Sequence, residues 1–248
     1  MSSGYEGFEA SWHDLFWEAE EAPSEQSLLE DFLNDKEGRC LYIGSGSGRL
    51  LGPLVKNGYD VLGLECSSEM VALSRESFPD ADVLEEEWQK HEGEYDSIVI
   101  PAFTFQLFAE PQKQFQRLRE QTDHLYLTLF FPWAEIAGDL PQNEWYSDRD
   151  VALPSGEIGV LETRHRIKEE TGSLVRKHRY TLKDVSGTAV KREETEQRLR
   201  FFTDVALKNL LKKTGWKIVK EINNLGEGDD DELVYVATLY LRGLHTDD

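Results

Sequence analysis

The stretch Arg39-Cys40-Leu41-Tyr42-Ile43-Gly44-Ser45-Gly46-Ser47-Gly48-Arg49, followed by Asp60-Val61-Leu62-Gly63-Leu64-Glu65, decides the fold. It reads as a strand, a glycine turn, a helix and a second strand with an acidic tip. The glycines let the backbone approach a ligand closely. The helix opening at the turn aims its free N–H groups at the ligand's polar end. Glu65, at the tip of the second strand, can accept hydrogen bonds from a ribose. Such a unit binds a nucleoside-bearing cofactor. The glycine spacing narrows the choice. A dinucleotide fingerprint is G-x-G-x-x-G, and here the third glycine comes one residue early, with Arg49 in its place. The Gly-Lys-Ser/Thr ending of a phosphate loop is also absent.

Strand and helix alternate on the C-terminal side of this unit. Ser67 or Ser68 caps a helix through Met70, Val71 and Leu73 that ends before Pro79. Residues 82–84 form a short strand, 85–94 a polar loop around Trp88, and 95–101 an apolar strand buried on both faces. A helix over 111–121 and a strand over 124–131 complete the pattern of a doubly wound, mostly parallel sheet. On the N-terminal side, Trp12, Phe16 and Ala19 share a helical face, read as an amphipathic helix or a lid over the cofactor. Pro23 breaks that segment, and Ser24 caps a helix through Leu28, Leu29, Phe32 and Leu33.

After Pro132 the pattern changes. Residues 134–147 read as loop, and 149–200 as three or four antiparallel strands with turns at Pro154-Ser155-Gly156, Thr171-Gly172 and Ser186-Gly187. Leu161, Thr163, His165 and Ile167 fall on one face, and Glu162, Arg164, Arg166 and Lys168 on the other. Thr203 caps a late helix, and strands over 216–222 and 233–241 flank the acidic loop 226–231. The expected organisation is a helical cap over 1–36, a Rossmann-like domain over 37–133 and 201–248, and an inserted antiparallel β subdomain over 134–200. That insertion is a lid or an oligomer contact, in a monomer or a homodimer.

Composition sets the outer limits. The chain has 248 residues, 39% hydrophobic and 30% charged, enough for one sizeable core. No apolar run approaches the ~18 residues of a membrane span. The N-terminus carries Glu6, Glu9 and Asp14 rather than a basic, then apolar, leader, so a cytoplasmic location is expected. A net charge of −21 repels phosphate backbones and argues against nucleic acid. Two cysteines, Cys40 and Cys66, make neither a disulfide framework nor a zinc site. The acidic loop lacks the spacing and closing Glu of an EF-hand, so no metal is expected.

Leu41 to Arg49, Gly63 to Met70, Glu87-Trp88, Tyr95 to Pro101, Arg200 to Thr203 and Thr214 to Trp216 together resemble class I S-adenosylmethionine (SAM)-dependent methyltransferases. The strand insertion resembles the branch that N-methylates small molecules such as glycine and amino sugars. The resemblance implies a seven-stranded sheet with its last strand antiparallel. It also implies transfer of a methyl group to nitrogen or oxygen of a small molecule. Alternatives are a protein or RNA methyltransferase, or a non-catalytic SAM-fold protein. In this pattern Gly44, Ser45, Gly46 and Gly48 would line the methionine part of SAM. Glu65 would bind the ribose, Cys66 and Met70 would flank the adenine, and Glu87 and Trp88 would lie beside it. Pro101 and Ala102 would sit near the methyl. Tyr42 stands where relatives carry an acid for the SAM amino group. The histidine that some relatives show around residues 103–107 is missing, which leaves no catalytic residue assigned. His13, His165 and His178 are possible bases. Tyr5, Trp12, Phe103, Tyr146, His165 and Tyr180 are candidates for the substrate wall.

Overall fold

The computed structural model describes residues 5–17, 22–224 and 234–244. Ala19, the acidic loop 226–231, the side chain of Ser24 and the start of the last expected strand lie outside the described residues. The main sheet is built from β1 (Cys40–Ile43), β2 (Val61–Glu65), β3 (Asp82–Glu85), β4 (Ser97–Ile100), β5 (His124–Phe130), β10 (Trp216–Asn223) and β11 (Val236–Gly243). Its order is β10-β11-β5-β4-β1-β2-β3. All neighbours are parallel except β11, which runs antiparallel to both β5 and β10. The sheet is therefore seven-stranded and mostly parallel, as expected.

Alternation along each strand divides the core between two faces. Leu41, Ile43, Ile98, Ile100 and Leu127 pack with Phe115 and Leu118 of α6 (Pro111–Gln121) and Leu207 and Leu211 of α8 (Asp204–Lys213). Cys40, Tyr42, Val99 and Tyr126 pack on the other face. They meet Leu29, Phe32 and Leu33 of α3 (Ala22–Leu33), Leu51 and Leu54 of α4 (Leu51–Lys56) and Val71 of α5 (Ser68–Ser77). The caps fall where side-chain chemistry favours them. Ser67 accepts from the Met70 N–H at 3.2 Å, and Thr203 from the Ala206 N–H at 3.2 Å.

The insertion is a second sheet, β6 (Tyr146–Ala152), β7 (Ile158–Lys168), β8 (Ser173–Lys183) and β9 (Ala189–Arg200), antiparallel throughout. The face carrying Leu161, Thr163, His165 and Ile167 is buried. Ile167, Leu174, Leu199 and Phe201 pack against Leu107, Phe130 and Ile136, which joins the insertion to the main domain. Gln106 strengthens the joint. Its amide donates to the Phe130 and Arg200 carbonyls and accepts from the Phe130 N–H.

Three local expectations need correction. The N-terminal helix is two short ones, α1 (Gly7–Ser11) and α2 (His13–Trp17), because Trp12 ends the first and turns inward. Pro23 does not break the chain. It lies with Ser24 in the first turn of α3, which opens at Ala22, so its missing N–H costs nothing and Ser24 is not the N-cap. The stretch 134–147 contains most of a helix, α7 (Trp133–Ala137).

Gly48 has φ +86, and a Cβ there would lie 2.5 Å from Ser74 Oγ and 2.9 Å from Phe78. Gly48→Ala is expected to cost about 1–3 kcal/mol of stability in urea denaturation, from strain and overpacking together. An unchanged midpoint would contradict this packing.

Candidate active site

Between β1 and β4 the strand order changes direction, and open α/β sheets bind ligands in the crevice at the carboxyl ends of such a pair. The sequence builds this crevice from two loops. Gly44 has φ +74, and a Cβ on it would lie 2.4 Å from Thr104 Cγ2, so the loop after β4 rests directly on the glycine turn. Gly46 is open, with only Met70 Cε near, at 3.6 Å from an added Cβ. Ala102 and Phe103, both non-glycine, are held left-handed at φ 50 and φ 61, a conformation that costs energy and concentrates at functional sites. Glu65 is buried. Its two carboxylate oxygens accept from the Gly46 N–H at 3.0 Å and the Ser67 N–H at 2.8 Å. The Cys66 thiol hydrogen-bonds the same carboxylate. Arg49 Nε and Nη1 are buried with no hydrogen-bond partner among the described residues. Unmet donors beside a crevice are what a bound anionic group would satisfy.

The N-terminal helices are strapped across this crevice. Ser67 Oγ donates to the Tyr5 carbonyl, and the Gly7 N–H donates to Glu69 at 2.8 Å. Ser47, inside the glycine turn, donates to Asp14 at 2.8 Å. The strap's other side reaches the insertion. The Phe8 N–H donates to Glu193 at 2.7 Å, and Gln197 donates to Glu9 at 2.9 Å and to the Tyr5 hydroxyl at 3.2 Å. Trp12 and Phe16 pack on Leu161 and Tyr180.

Strap and insertion enclose a cavity of about 460 Å³. Its walls carry three carboxylates, Glu9, Glu135 and Asp148, with Arg149, Arg176, His13 and His178. Glu135 is buried and ion-paired to Arg176 at 2.5 Å. Burial pushes the Glu9 carboxyl above its ordinary range. The Thr163 hydroxyl donates to Asp148 at 2.6 Å, so the His178 Nδ1–H donates to Thr163 at 3.0 Å, and the Gln197 side chain hydrogen-bonds the same imidazole. Burial, with Arg176 adding to it, pushes His178 down to about 4, so it is a neutral imidazole at pH 7.

Of the residues expected at the substrate wall, Tyr5, Tyr146 and Tyr180 line this cavity, while Trp12, Phe103 and His165 do not. Trp12 lies beneath it in the packing between strap and insertion. Phe103 meets Phe130 edge-on, and His165 is buried edge-on to Tyr146. Trp88 needs the largest correction. It is 3% exposed, its ring stacks on Phe108, and its indole donates to Gln121 at 3.2 Å. It is a core side chain and not an adenine partner. Glu87 is at the surface, paired to Lys90 at 2.8 Å. Met70 is buried under the turn, and Pro101 and Ala102 stand at the end of β4. Cys66 is exposed, its thiol pushed up to about 11 by desolvation and by Glu65, so it stays protonated. Glu9, Glu135, Asp148 and Arg176 had no local signal. His178 had one, because the register across the Thr171-Gly172 turn pairs it with inward-facing Thr163.

Among the described residues, no group of three or more His, Cys, Asp or Glu side chains is arranged to hold a metal ion, and no helix is long and apolar enough to cross a membrane. Residues 41–122 match the methyltransferase domain family. No curated protein matches the chain by sequence. Several solved structures share the whole fold. A SAM-dependent methyltransferase from Clostridium acetobutylicum superimposes with a TM-score of 0.75 at 12% identity, over 96% of this chain and 98% of that one. An amino pentose methyltransferase from Micromonospora echinaspora, solved with SAM bound, gives 0.68 at 14%, over 98% and 99%. A sugar N-methyltransferase from a Streptoalloteichus species gives 0.69 at 15%, over 99% and 98%.

His178 makes the cavity sensitive to pH. Its folded value of about 4 is below the ordinary 6.5, so the unfolded chain takes up a proton that the folded chain refuses. Its contribution is complete above pH 6.5 and is lost as pH falls toward 4, roughly 3 kcal/mol in all. Unfolding free energies of wild type and His178→Gln are therefore expected to converge as pH drops through this window. Parallel curves would contradict a buried neutral imidazole.

Proposed function

We propose that this chain, a methyltransferase domain on the class I SAM-dependent methyltransferase fold, methylates the amino group of a small polar acceptor of the amino-sugar type. The observation that carries the reading is the cavity of about 460 Å³ with Glu9, Glu135 and Asp148 in its walls and neutral His178 beside them. Two of the similar structures are sugar-amine methyltransferases, which supports the acceptor class.

The residues at the crevice fit the cofactor. Backbone of Gly44, Ser45, Gly46 and Gly48 would hold its methionine part, Glu65 its ribose, Cys66 and Met70 its adenine, with Ala102 near the methyl. When bound, SAM supplies a methyl group made electrophilic by the sulfonium. The protein's own work falls on the acceptor. Carboxylates in a half-enclosed cavity attract the ammonium form of an amine and orient it. Only the neutral amine has a lone pair to donate, so a proton has to leave. It leaves to solvent as the amine enters, because His178, held at about 4, is too weak a base to keep a proton taken from an ammonium. Positioning supplies much of the remaining acceleration. The strap that roofs the crevice also walls the cavity, so acceptor and cofactor share one enclosure that sheds water when filled.

The test is mass spectrometry of purified protein with SAM and matched pairs of sugars with and without an amine. Methylation of the amine-bearing members alone is expected. Product on the hydroxyl-only sugars, or none at all from protein shown to bind SAM, would contradict the reading. In the same assay Asp148→Asn is expected to raise KM by about tenfold, with the affinity for S-adenosylhomocysteine unchanged.

A further inference from the structure

We propose that Glu25 and Arg49 form a charge clamp for the amino-acid end of the cofactor, Glu25 receiving its ammonium and Arg49 its carboxylate, in place of the missing acid at position 42. The inference rests on the cofactor reading above and deepens it.

Glu25 is conspicuous in its helix. It shares the inward face of α3 with Leu29, Phe32 and Leu33, one turn before the first of them, and is 2% exposed. A carboxylate on an apolar stripe is costly unless it is bonded or has work to do. Its Oε1 accepts from the Ala102 N–H at 3.2 Å, the Thr128 hydroxyl at 2.6 Å and the Tyr126 hydroxyl at 3.4 Å. These partners belong to β5 and to the loop leaving β4, and the Ala102 bond sets the carboxylate at the carboxyl end of β4. The first turn of α3 favours a negative charge there.

Arg49 stands on the opposite bank, at the end of the glycine turn that follows β1. Its Nε and Nη1 are buried without a hydrogen-bond partner among the described residues, and its charge acts on Asp14 of the strap. Tyr42 is the β1 residue on which both charges act. It is buried, and both Glu25 and Arg49 are close enough to its hydroxyl to shift it. A phenol cannot neutralise an ammonium. The crevice between β1 and β4 thus has a carboxylate on one bank and a guanidinium on the other, the charge pattern complementary to a zwitterionic α-amino acid. Glu25 lies on α3, outside the matched segment 41–122.

Two ligands separate this role from a structural one. S-adenosylhomocysteine carries the amino-acid end, and 5′-methylthioadenosine lacks it. Equilibrium binding of both is measured for wild type, Glu25→Gln and Arg49→Met. Each variant is expected to weaken S-adenosylhomocysteine by about tenfold or more while 5′-methylthioadenosine changes less than about twofold. Equal losses for both ligands, or no loss for either, would overturn the clamp. Glu25→Gln keeps acceptors for Ala102 and Thr128, and if it does not fold, Arg49→Met decides alone. A wild type that binds neither ligand overturns the cofactor reading and the clamp with it. Failure of the clamp alone differs, because the wild type then binds both ligands.

Discussion

The buried carboxylate of Glu65 is the constraint on which the site depends. It ties the Gly46 N–H of the glycine turn to the Ser67 N–H that opens α5. Turn and helix start are thereby fixed to the tip of β2, beside the crevice. Charge-assisted bonds of this kind are stronger than neutral ones, and burial raises the cost of losing either. Everything placed over the crevice uses this frame. Ser67 holds the Tyr5 carbonyl, Ser47 holds Asp14, and Thr104 rests on Gly44.

From that frame the strap reaches the insertion through Glu9, Phe8 and the Trp12–Phe16 packing. One short segment therefore holds the glycine turn on one side and walls the cavity on the other. The inner face of the insertion supplies the rest of the wall, with Asp148, Thr163 and His178 in one hydrogen-bonded line.

The sequence made the main sheet legible because its signals are local. Apolar runs, glycine spacing and the caps at Ser67 and Thr203 each act within a few residues. The alternation of residues 161–168 likewise fixed which face of β7 turns inward. What escaped was set at long range. Glu9, Glu135 and Asp148 come from three separate elements, and nothing in their own neighbourhoods marks them as partners. The resemblance and the polar loop around Trp88 pointed to a place beside the adenine, yet Phe108 and Gln121, 20 and more residues away, bury it. Trp12 divides the N-terminal helix because its partners Leu161 and Tyr180 lie in the insertion. Glu25 could have been read as an acid on the apolar stripe of α3, but its meaning needed the β1–β4 crevice.

The central claim is that the proposed cofactor crevice and the proposed acceptor cavity share the strap as a common wall. Hydrogen–deuterium exchange with and without S-adenosylhomocysteine tests it most directly. The account predicts that peptides covering residues 5–17 gain protection together with those covering 44–50 and 65–70. Protection of the glycine turn and α5 with no change in residues 5–17 would contradict it.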